Sequence, residues 1–453
     1  MGQDQCVSWT VVPSRMGITA WITIFVVAYA PNFSAQENQT PTRWLQDRFA
    51  IGFWEEPPVD DQMDRRYSEI AEANFTVVLG GHRAVKTRQI ARQLELCQKY
   101  DLKAIVWRIG SMSEVTRNPE LLPEHPACWG YHLKDEPGAT SFPGIAKTVA
   151  AIRKARPGKL SYVNLFPNAA GPKQLFTDTY EDYIRQSITV MDLDMISMNH
   201  YPAMSPTDDT RDEYCTNLAV MRRFSVEHRR PFWNFFNAMR FGGRTDPTEG
   251  KIRWQIYTSL AYGAKGIFYF TYWTPTYDGP LKMEPGQFAM AQGMIDLRGR
   301  RTRRYEQAKR INAGVKHLGR TLLKLTSTGV YRVIASDDAS AILKDTPIET
   351  IGEWVVTKGE PNRINHGDYL IGTFRHADGR QAVMINNYHY AHNLWPTVVF
   401  RHDMARIKEV CPKTGEEIPL DDDSPRMKLL PNFTADGVRL SIEAGGGRLF
   451  LVQ

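Results

Sequence analysis

Short apolar segments alternate regularly with amphipathic ones between residues 48 and 327, and this alternation constrains the fold more than any other feature. The apolar segments are rich in β-branched and aromatic residues, as strands buried on both faces of a parallel sheet are. Eight strand–helix units in about 280 residues match the count and size of a (β/α)8 barrel. The predicted strands are Phe49–Trp54, Phe75–Gly80, Ala104–Arg108, Gly130–Asp135, Leu160–Phe166, Met195–Asn199, Phe232–Asn237 and Gly266–Tyr272.

Helical patterns separate these strands, and a last helix closes the series. A doubly wound sheet is disfavoured because the first strand ends in GFWEEPP, without a glycine-rich phosphate loop. The helix that begins near Pro247 has the clearest signals, since Asp246 is suited to cap it and Gly263 to end it. The predicted helices are Asp61–Ala73, Thr87–Tyr100, Met112–Leu122, Phe142–Ala155, Asp178–Met191, Thr210–His228, Pro247–Tyr262 and Tyr305–Leu325.

The pattern changes at about residue 328, where short strands and turn residues replace the alternation. The segments YRVIAS, EWVVTK, YLIGTF, QAVMINN, TVVF, RIKEV and GGGRLFLV predict an all-β sandwich. The fold class is therefore α/β, a (β/α)8 TIM barrel followed by a C-terminal β-sandwich domain. The predicted divisions are an N-terminal extension and signal peptide at 1–35, a linker at 36–47, the barrel at 48–327 and the sandwich at 328–453.

The N-terminal region predicts export. Arg15 precedes an apolar stretch from Ile18 to Ala30, and Ser34-Ala35 supplies small residues for cleavage, as in a secretory signal. The apolar stretch is short for a membrane span of about 20 residues, and a retained N-terminal anchor is the alternative. We expect a secreted or periplasmic protein with no membrane contact beyond this segment.

Composition excludes several partners and cofactors. A net charge of +6 on 453 residues is mild and does not indicate a nucleic-acid partner. The five cysteines show neither CxxC nor Cys/His metal spacing, and Cys97 and Cys128 have the pattern of buried apolar residues. We expect no cofactor, no metal site and no disulfide framework. The sequence leaves the oligomeric state open.

In a barrel of this kind the chemistry belongs at the C-terminal ends of the strands. Those ends offer no lysine for a Schiff base and no cluster of His and Asp for a metal. They carry carboxylates and amides, which bind hydroxyl groups, and aromatic side chains, which cover the C–H faces of sugars. A carbohydrate ligand fits this lining. The candidate residues, from strand 1 to strand 8, are Trp54, Glu55, His82, Arg108, Asp135, Glu136, Asn164, Asn199, His200, Tyr201, Asn237, Tyr272 and Trp273.

Each candidate also has a purely structural interpretation. Asp-Glu-Pro-Gly at Asp135–Gly138 is good turn chemistry, although its place at the end of strand 4 favours a functional role. The aromatic side chains are also suited to packing, the histidines to structural hydrogen bonds, and Glu55 and Glu56 to an exposed loop. The basic run RGRRTRRYEQAKR at 298–310 predicts a solvated face, with a patch for sulfated or uronic glycans as the alternative.

Four motifs resemble the (β/α)8 glycoside hydrolases of clan A, in particular the family 42-like group of β-galactosidase type. They are GYHLKDEPG at strand 4, DLDMISMNHYP at strand 6, RPFWNFFNA at strand 7 and SLAYGAKGIFYFTYW across helix 7 and strand 8. The resemblance covers residues 48–325, and GGGRLFLV is similar to the last strand of the β-domain attached to such barrels. By this resemblance Glu136 is the general acid/base.

Two positions depart from the clan pattern. Asp135 stands where the clan has an Asn, and strand 7 ends in Asn237-Ala238, where the clan has a nucleophilic Glu. The adjacent Asp-Glu pair is similar to that of acetamido-sugar hydrolases of families 20 and 123, in which the substrate's acetamide replaces the enzyme nucleophile. This resemblance implies that Asp135 is a charged partner and Glu136 the proton donor.

The sequence therefore predicts an exported glycosidase that cleaves O-glycosidic bonds of oligo- or polysaccharides, with substrate assistance as one mechanism. If the enzyme is instead an ordinary retaining one, the candidates for its nucleophile are Glu55, Glu56, Asp278 and Glu284. The alternative function is a barrel that binds glycans without cleaving them, having lost the nucleophile of strand 7.

Overall fold

Eight parallel strands form a barrel in the computed structural model, which describes residues 43–80, 83–241, 245–275, 292–334, 337–352, 367–420, 423 and 437–453. The strands are β1 Ala50–Phe53, β2 Val77–Leu79, β3 Lys103–Trp107, β4 Cys128–Asp135, β5 Leu160–Leu165, β6 Ile196–Asn199, β7 Phe232–Asn237 and β8 Gly266–Phe270. They follow the order β1-β8-β7-β6-β5-β4-β3-β2. A hydrogen bond of 2.9 Å from the Thr76 amide to the Ile51 carbonyl joins β1 to the start of β2 and closes the ring.

Helices follow the strands around the outside of the barrel. The third predicted helix is shorter than expected, because it ends at Arg117 and a separate 3-10 turn, Pro119–Leu121, follows it. Further one-turn segments are Ala139–Ser141 and Pro172–Leu175, and a small hairpin pairs Met204–Ser205 with Asp208–Asp209. The helices are α1 Met63–Glu72, α2 Thr87–Lys99, α3 Met112–Arg117, α4 Phe142–Ala155, α5 Tyr180–Thr189, α6 Arg211–His228, α7 Glu249–Ala261 and α8 Arg303–Leu322.

The cap predicted for α7 is wrong by two residues. The Thr248 hydroxyl, not the Asp246 carboxylate, accepts the Lys251 amide and caps the helix. Asp246 instead forms ion pairs with Arg303 and Arg304 at the start of α8. Both Thr and Asp are good caps, so the sequence alone did not distinguish them.

Side chains alternate between two apolar layers, as the two-residue period of a strand requires. One layer fills the barrel interior, and the other packs between the strands and the helices. Cys97 and Cys128 are buried in the outer layer, as their sequence context predicted. The interior layer includes Ala50, Trp54, Val77, Leu79, Ile105, Leu160, Tyr162, Trp233, Phe235 and Phe268.

Two antiparallel sheets follow the barrel, so the predicted fold class is confirmed. Their strands are β9 Leu325–Ile334, β10 Ile348–Gly352, β11 Asp368–His376, β12 Gln381–Asn387, β13 Thr397–Phe400, β14 Ile407–Val410, β15 Glu417–Pro419, β16 Val438–Arg439 and β17 Gly447–Val452. One sheet has the order β9-β11-β12-β17-β14-β15 and the other β10-β13-β16, and an apolar core lies between them. A one-turn helix, Ala339–Ile342, and a 3-10 turn, Met404–Arg406, interrupt the strands, while EWVVTK lies outside the described residues.

The larger sheet packs directly on α7. A Cβ atom added at Gly372 would lie 2.4 Å from the carbonyl oxygen of Ala261, so only glycine allows this approach. We expect Gly372→Ala to lower the free energy of unfolding by about 1–3 kcal/mol, as overpacking does. Urea unfolding tests this, with Gly171→Ala as the control, because a Cβ at Gly171 meets no atom within 4 Å. Equal stability of the two variants would contradict this tight contact.

Ion pairs engage most of the basic run at 298–310. Arg301 and Lys309 both bind Glu72 on α1, and Arg310 binds Glu249 on α7. These pairs hold α8 against its neighbours and reduce the positive charge available to an anionic glycan. The solvated, ion-paired interpretation of this run is therefore favoured over a glycan patch.

In the part of the chain that the structure describes, no helix is both long and apolar enough to cross a bilayer. The predicted signal segment lies outside that part.

Candidate active site

A β-bulge sets the direction of the two adjacent carboxylates. The pairing of β4 with β5 slips by one residue between His132 and Lys134, which makes Leu133 the extra residue. After the slip Asp135 pairs with Asn164, and the Glu136 amide donates to the Asn164 carbonyl at 2.8 Å. Without the bulge, the alternation of β4 would turn Asp135 to the opposite face of the sheet.

Arg108 supports the bulge. Its Nη1 donates to the Leu133 carbonyl at 2.7 Å, and its guanidinium lies over the Trp107 ring at 4.5 Å. Burial lowers the pKa of Arg108. The sequence predicted Arg108 as a substrate contact; in the structure this hydrogen bond holds the main chain one residue before Lys134.

Two asparagine amides from neighbouring strands hold both carboxylates. Nδ2 of Asn164 on β5 donates to Oδ1 of Asp135 at 3.1 Å and to Oδ1 of Asn199 at 3.2 Å. Nδ2 of Asn199 on β6 in turn donates to Oε1 of Glu136 at 2.9 Å. The four side chains therefore form one hydrogen-bonded row across the ends of three strands.

A second pair of residues fixes this row from below. The Ser197 hydroxyl donates to Oδ1 of Asn164 at 3.1 Å and lies 2.9 Å from the Tyr162 hydroxyl. These contacts determine which end of the Asn164 amide faces Asp135. Neither Ser197 nor Tyr162 was predicted, although each lies two residues before a predicted asparagine, at the spacing that shares a strand face.

Glu136 adopts a backbone conformation that is rare for its residue type. Its φ angle is 44°, in the left-handed region that favours glycine. Such a conformation costs about 1–3 kcal/mol and persists only where surrounding contacts impose it. Here two hydrogen bonds impose it: the Glu136 amide donates to the Asn164 carbonyl, and Asn199 donates to the Glu136 carboxyl group. The strained turn therefore fixes the direction of the carboxyl group.

The environment favours a protonated Glu136 near neutral pH. Burial, then the charge of Asp135, raises the pKa of Glu136 to about 7, against the opposing hydrogen bond from Asn199. Part of Asp135 is exposed to solvent. The surrounding barrel mouth nevertheless desolvates its carboxylate, and this raises the pKa of Asp135. The hydrogen bond from Asn164 and the charge of Lys134 oppose that rise. The pair is suited to hold one proton, on Glu136.

Tyr201 lies beside this pair. Its ring packs against Phe241 and Phe270, with centroids 5.1 and 5.2 Å away. Burial, followed by the charges of Glu136 and Asp135, raises the pKa of Tyr201, so its hydroxyl stays protonated next to the carboxylates. The structure thus brings together Asp135, Glu136, Asn164, Asn199 and Tyr201, all of which the sequence predicted.

Strand 7 supplies an amide whose oxygen is engaged locally. Oδ1 of Asn237 accepts the Met239 amide at 3.1 Å, and Gln255 binds the main chain of Asn237 on both its N–H and C=O groups. The side chain is buried, with 4% of its surface exposed. The position of the clan nucleophile therefore holds a locally hydrogen-bonded amide and no carboxylate.

Three aromatic side chains that were predicted to contact the substrate have little exposed surface. Tyr272 is fully buried and stacks on Phe53 at 4.5 Å, in the layer between strands and helices. The Trp273 ring is covered by the Arg66 guanidinium at 5.2 Å. Trp54 belongs to the barrel interior, at 5.8 Å from Phe235. These rings pack in the core, which was the structural interpretation that the sequence left open.

His200 also has a structural environment. It is buried, its Nδ1 lies 3.0 Å from Oδ1 of Asn217, and its ring meets Tyr214 edge to face. The remaining predicted histidine, His82, lies outside the described residues, as do the candidate nucleophiles Asp278 and Glu284.

Glu55 and Glu56 are not on an exposed loop, so that interpretation is wrong. Only 2% and 1% of their surfaces are exposed. Glu56 binds the amides of Arg83 and Ala84 and the side chain of Gln93, which anchors the segment after β2. Burial raises the pKa of Glu55 to about 7, against the charge of Arg83, whose Nη2 is 3.4 Å from its Oε1.

Among the described residues, no group of three or more His, Cys, Asp or Glu side chains is arranged to hold a metal ion. The site consists of Asp135 and Glu136, the two asparagine amides that bind them, and Tyr201, at the C-terminal mouth of the barrel.

Comparisons with known proteins show similarity in structure only. No protein-family profile matches the chain, and no curated sequence is significantly similar to it. A GH42 β-galactosidase from G. stearothermophilus, solved as a catalytic mutant, superposes with a TM-score of 0.58. The two share 9% identity over 91% of this chain and 99% of that one. This similarity extends over the barrel and the β-sheets, and it shows a shared fold.

Two further solved structures are similar at a lower level. A glucosidase from Croceicoccus marinus gives a TM-score of 0.43 and 11% identity, over 91% of this chain and 97% of that one. A Faecalibacterium prausnitzii β-glucuronidase gives 0.42 and 13%, over 59% of this chain. The chain spans only about half, 48%, of that β-glucuronidase.

Proposed function

We propose that this protein is a glycoside hydrolase in which Glu136 protonates the leaving oxygen and Asp135 is its charged partner. The observation that carries the proposal is the Asn164–Asn199 row, which holds both carboxyl groups in place at the barrel mouth. Fixed carboxyl groups with different proton affinities are what glycoside hydrolysis requires. The shared fold with a GH42 β-galactosidase is consistent with this chemistry.

The geometry of Glu136 suits a proton donor. Asn199 donates to its Oε1, which leaves Oε2 to carry the proton, and no described residue donates to Oε2. Burial favours the neutral form, and the adjacent Asp135 charge adds to this effect. General acids are most effective when their pKa is near the working pH.

We further propose that the acetamide of an N-acetylhexosaminide replaces the enzyme nucleophile. The acetamide oxygen would attack the anomeric carbon as the bond to the leaving oxygen breaks. Glu136 would transfer its proton to the leaving oxygen. A cyclic cation results, and water then opens it as Glu136 recovers a proton. Asp135 is suited to orient the acetamide N–H and to balance the developing positive charge. The amide at Asn237 supports this mechanism, because no carboxylate stands in the usual nucleophile position.

The same amide favours a second candidate, a barrel that binds glycans without cleaving them. The raised pKa of Glu136 and its fixed geometry argue for catalysis, because binding alone does not need a protonated carboxyl group. We also propose that the protein is exported, on the evidence of the apolar segment after Arg15.

A panel of aryl glycosides, including N-acetylhexosaminides, tests the proposal. Release of the aryl group from an N-acetylhexosaminide, but not from the matching 2-hydroxy sugar, supports acetamide assistance. Release from 2-hydroxy sugars alone supports a hydrolase with an enzyme nucleophile. If no glycoside of the panel is cleaved while glycans still bind, the non-catalytic alternative is correct.

The pH profile should have an alkaline limb set by Glu136. Catalysis needs its protonated form, so kcat/KM for a poor leaving group should be high below a pH of about 7 and fall above it, as the raised pKa predicts. Because Asp135 must be ionised, activity should also fall at acid pH, and burial, which raises the pKa of Asp135, should move that fall to higher pH. In Glu136→Gln the alkaline limb should disappear, and its persistence would assign it to another group.

A further inference from the structure

A groove of about 550 Å³ lies between α3 and α4, beside the end of β4. Met112 and Ile145 supply apolar surface, and Arg117, Lys134 and Lys147 supply three positive charges. No carboxylate of the described residues lines the groove. The groove therefore combines the two properties that an acidic sugar requires, an apolar surface for its C–H face and cations for its carboxylate.

The three cations form no direct ion pair with another described residue, although the charge of Arg117 acts on Glu114 and that of Lys134 on Asp135. No hydrogen bond or ion pair joins the charged groups of Arg117, Lys134 or Lys147 to another described residue, and all three side chains are exposed. This contrasts with Arg301 and Arg310 of the basic run, whose guanidinium groups bind Glu72 and Glu249. The charge of the groove is thus available to a ligand.

The groove lies on the same rim of the barrel as the proposed acid, but on the outer side of β4. Lys134 pairs with Val163 and Asp135 with Asn164, so their side chains leave the strand on opposite faces. Ser141 lies in the 3-10 turn that follows the carboxylate pair. A glycan bound at the barrel mouth that extends over this rim reaches the groove. We propose that this groove binds a uronate unit of an acidic glycan that extends from the barrel mouth over the rim at the end of β4.

This inference rests on the proposed function and specifies its substrate. An acetamido sugar at the cleaved bond and a uronate in the groove describe an acidic glycan that contains both sugars. Arg117 adds specificity, because a guanidinium matches a carboxylate through two parallel hydrogen bonds.

Calorimetric titration of the full-length Glu136→Gln protein, which cannot consume its ligand by acid catalysis, tests the groove. The probes are a hyaluronan hexasaccharide, which carries uronates, and chitohexaose, which is neutral. We expect hyaluronan to bind about 10-fold more tightly, as several exposed charge pairs allow, and its affinity to fall with added salt. Arg117→Gln with Lys147→Gln should remove this preference.

Two matched controls separate charge and shape from folding. Lys154→Gln removes an exposed cation from α4, the helix that carries Lys147, but outside the groove. This variant should keep the preference for hyaluronan over chitohexaose. A Cβ at Gly144 would meet no atom within 4 Å, so Gly144→Phe fills the groove without a clash in the core. Gly144→Phe should weaken hyaluronan binding at least as much as the charge variants, whereas Gly144→Ala should not.

The outcomes distinguish this inference from the proposed function. Equal binding of the two hexasaccharides, or an effect of Lys154→Gln equal to that of the groove variants, overturns the groove. If turnover of aryl glycosides still depends on Glu136, the proposed function stands. Turnover that does not depend on Glu136 overturns the proposed function, and the link between the groove and a substrate cleaved at Glu136 fails with it.

Discussion

Replacing Glu136 with Gln should lower the turnover of glycosides with poor leaving groups by about 10²–10⁴-fold, the usual contribution of a general acid. Gln keeps the shape of the side chain and an oxygen that can accept from Asn199, so the hydrogen-bonded row is preserved. It lacks the proton that the leaving oxygen needs. The loss should appear in kcat and kcat/KM together, because the proton is transferred in the transition state.

The dependence on leaving group identifies the role. Dinitrophenyl glycosides need little protonation, so they should lose much less activity in Glu136→Gln than alkyl glycosides or oligosaccharides. Steady-state kinetics on such a series gives the test. Glu120→Gln, which changes an exposed glutamate on the 3-10 turn after α3, should leave every substrate unaffected. Unaltered activity of Glu136→Gln on all cleavable substrates would contradict the roles of both Glu136 and Asp135.

The alternation of strands and helices was predictable because it depends on local periodicity. Every predicted strand of the barrel overlaps an observed one, and β7 at Phe232–Asn237 has the predicted bounds. Buried parallel strands need continuous apolar segments, so each strand can be recognised from its own local sequence. The positions of Asp135 and Glu136 at a strand end followed from the same rule.

Side-chain direction was harder to predict because it depends on register. The bulge at Leu133 changes which face of the sheet Asp135 occupies, and it depends on the contact with Arg108 from a neighbouring strand. At the end of β8 the regular strand stops at Phe270, so the two-residue period no longer predicts where Tyr272 and Trp273 point.

The burial of Glu55 and Glu56 could not be predicted from the sequence either. Glu55 and Glu56 follow a short strand and precede two prolines, a pattern typical of exposed loops. Their burial depends on partners that lie about 30 residues further along the chain. These are the backbone amides of Arg83 and Ala84, the Arg83 guanidinium and the side-chain amide of Gln93. A pairing between distant segments leaves no local pattern to detect.

The effect of Asp135→Asn should depend on the mechanism, and this makes it the sharpest test of the carboxylate pair. If the acetamide is the nucleophile, the cation that it forms needs the Asp135 charge whatever group departs. Asn keeps the size of the side chain but not the charge. Turnover of N-acetylhexosaminides should then fall by about 10²–10³-fold for good and poor leaving groups alike, a loss typical of a removed electrostatic partner.

This uniform loss is opposite to the pattern for Glu136→Gln, in which good leaving groups are spared. Removing the Asp135 charge should also lower the pKa of Glu136, since that charge helps to raise it, so the alkaline limb of the pH profile should move to lower pH. An ordinary retaining enzyme predicts something else: Asn at 135 restores the Asn-Glu-Pro order of the clan, and activity should survive or improve. That result would overturn acetamide assistance, retain Glu136 as the acid, and direct the search for a nucleophile to Glu55, Glu56, Asp278 and Glu284. Of these, the structure describes Glu55 and Glu56. Glu56 binds two amides and Gln93, and Glu55 lies 3.4 Å from the Arg83 guanidinium.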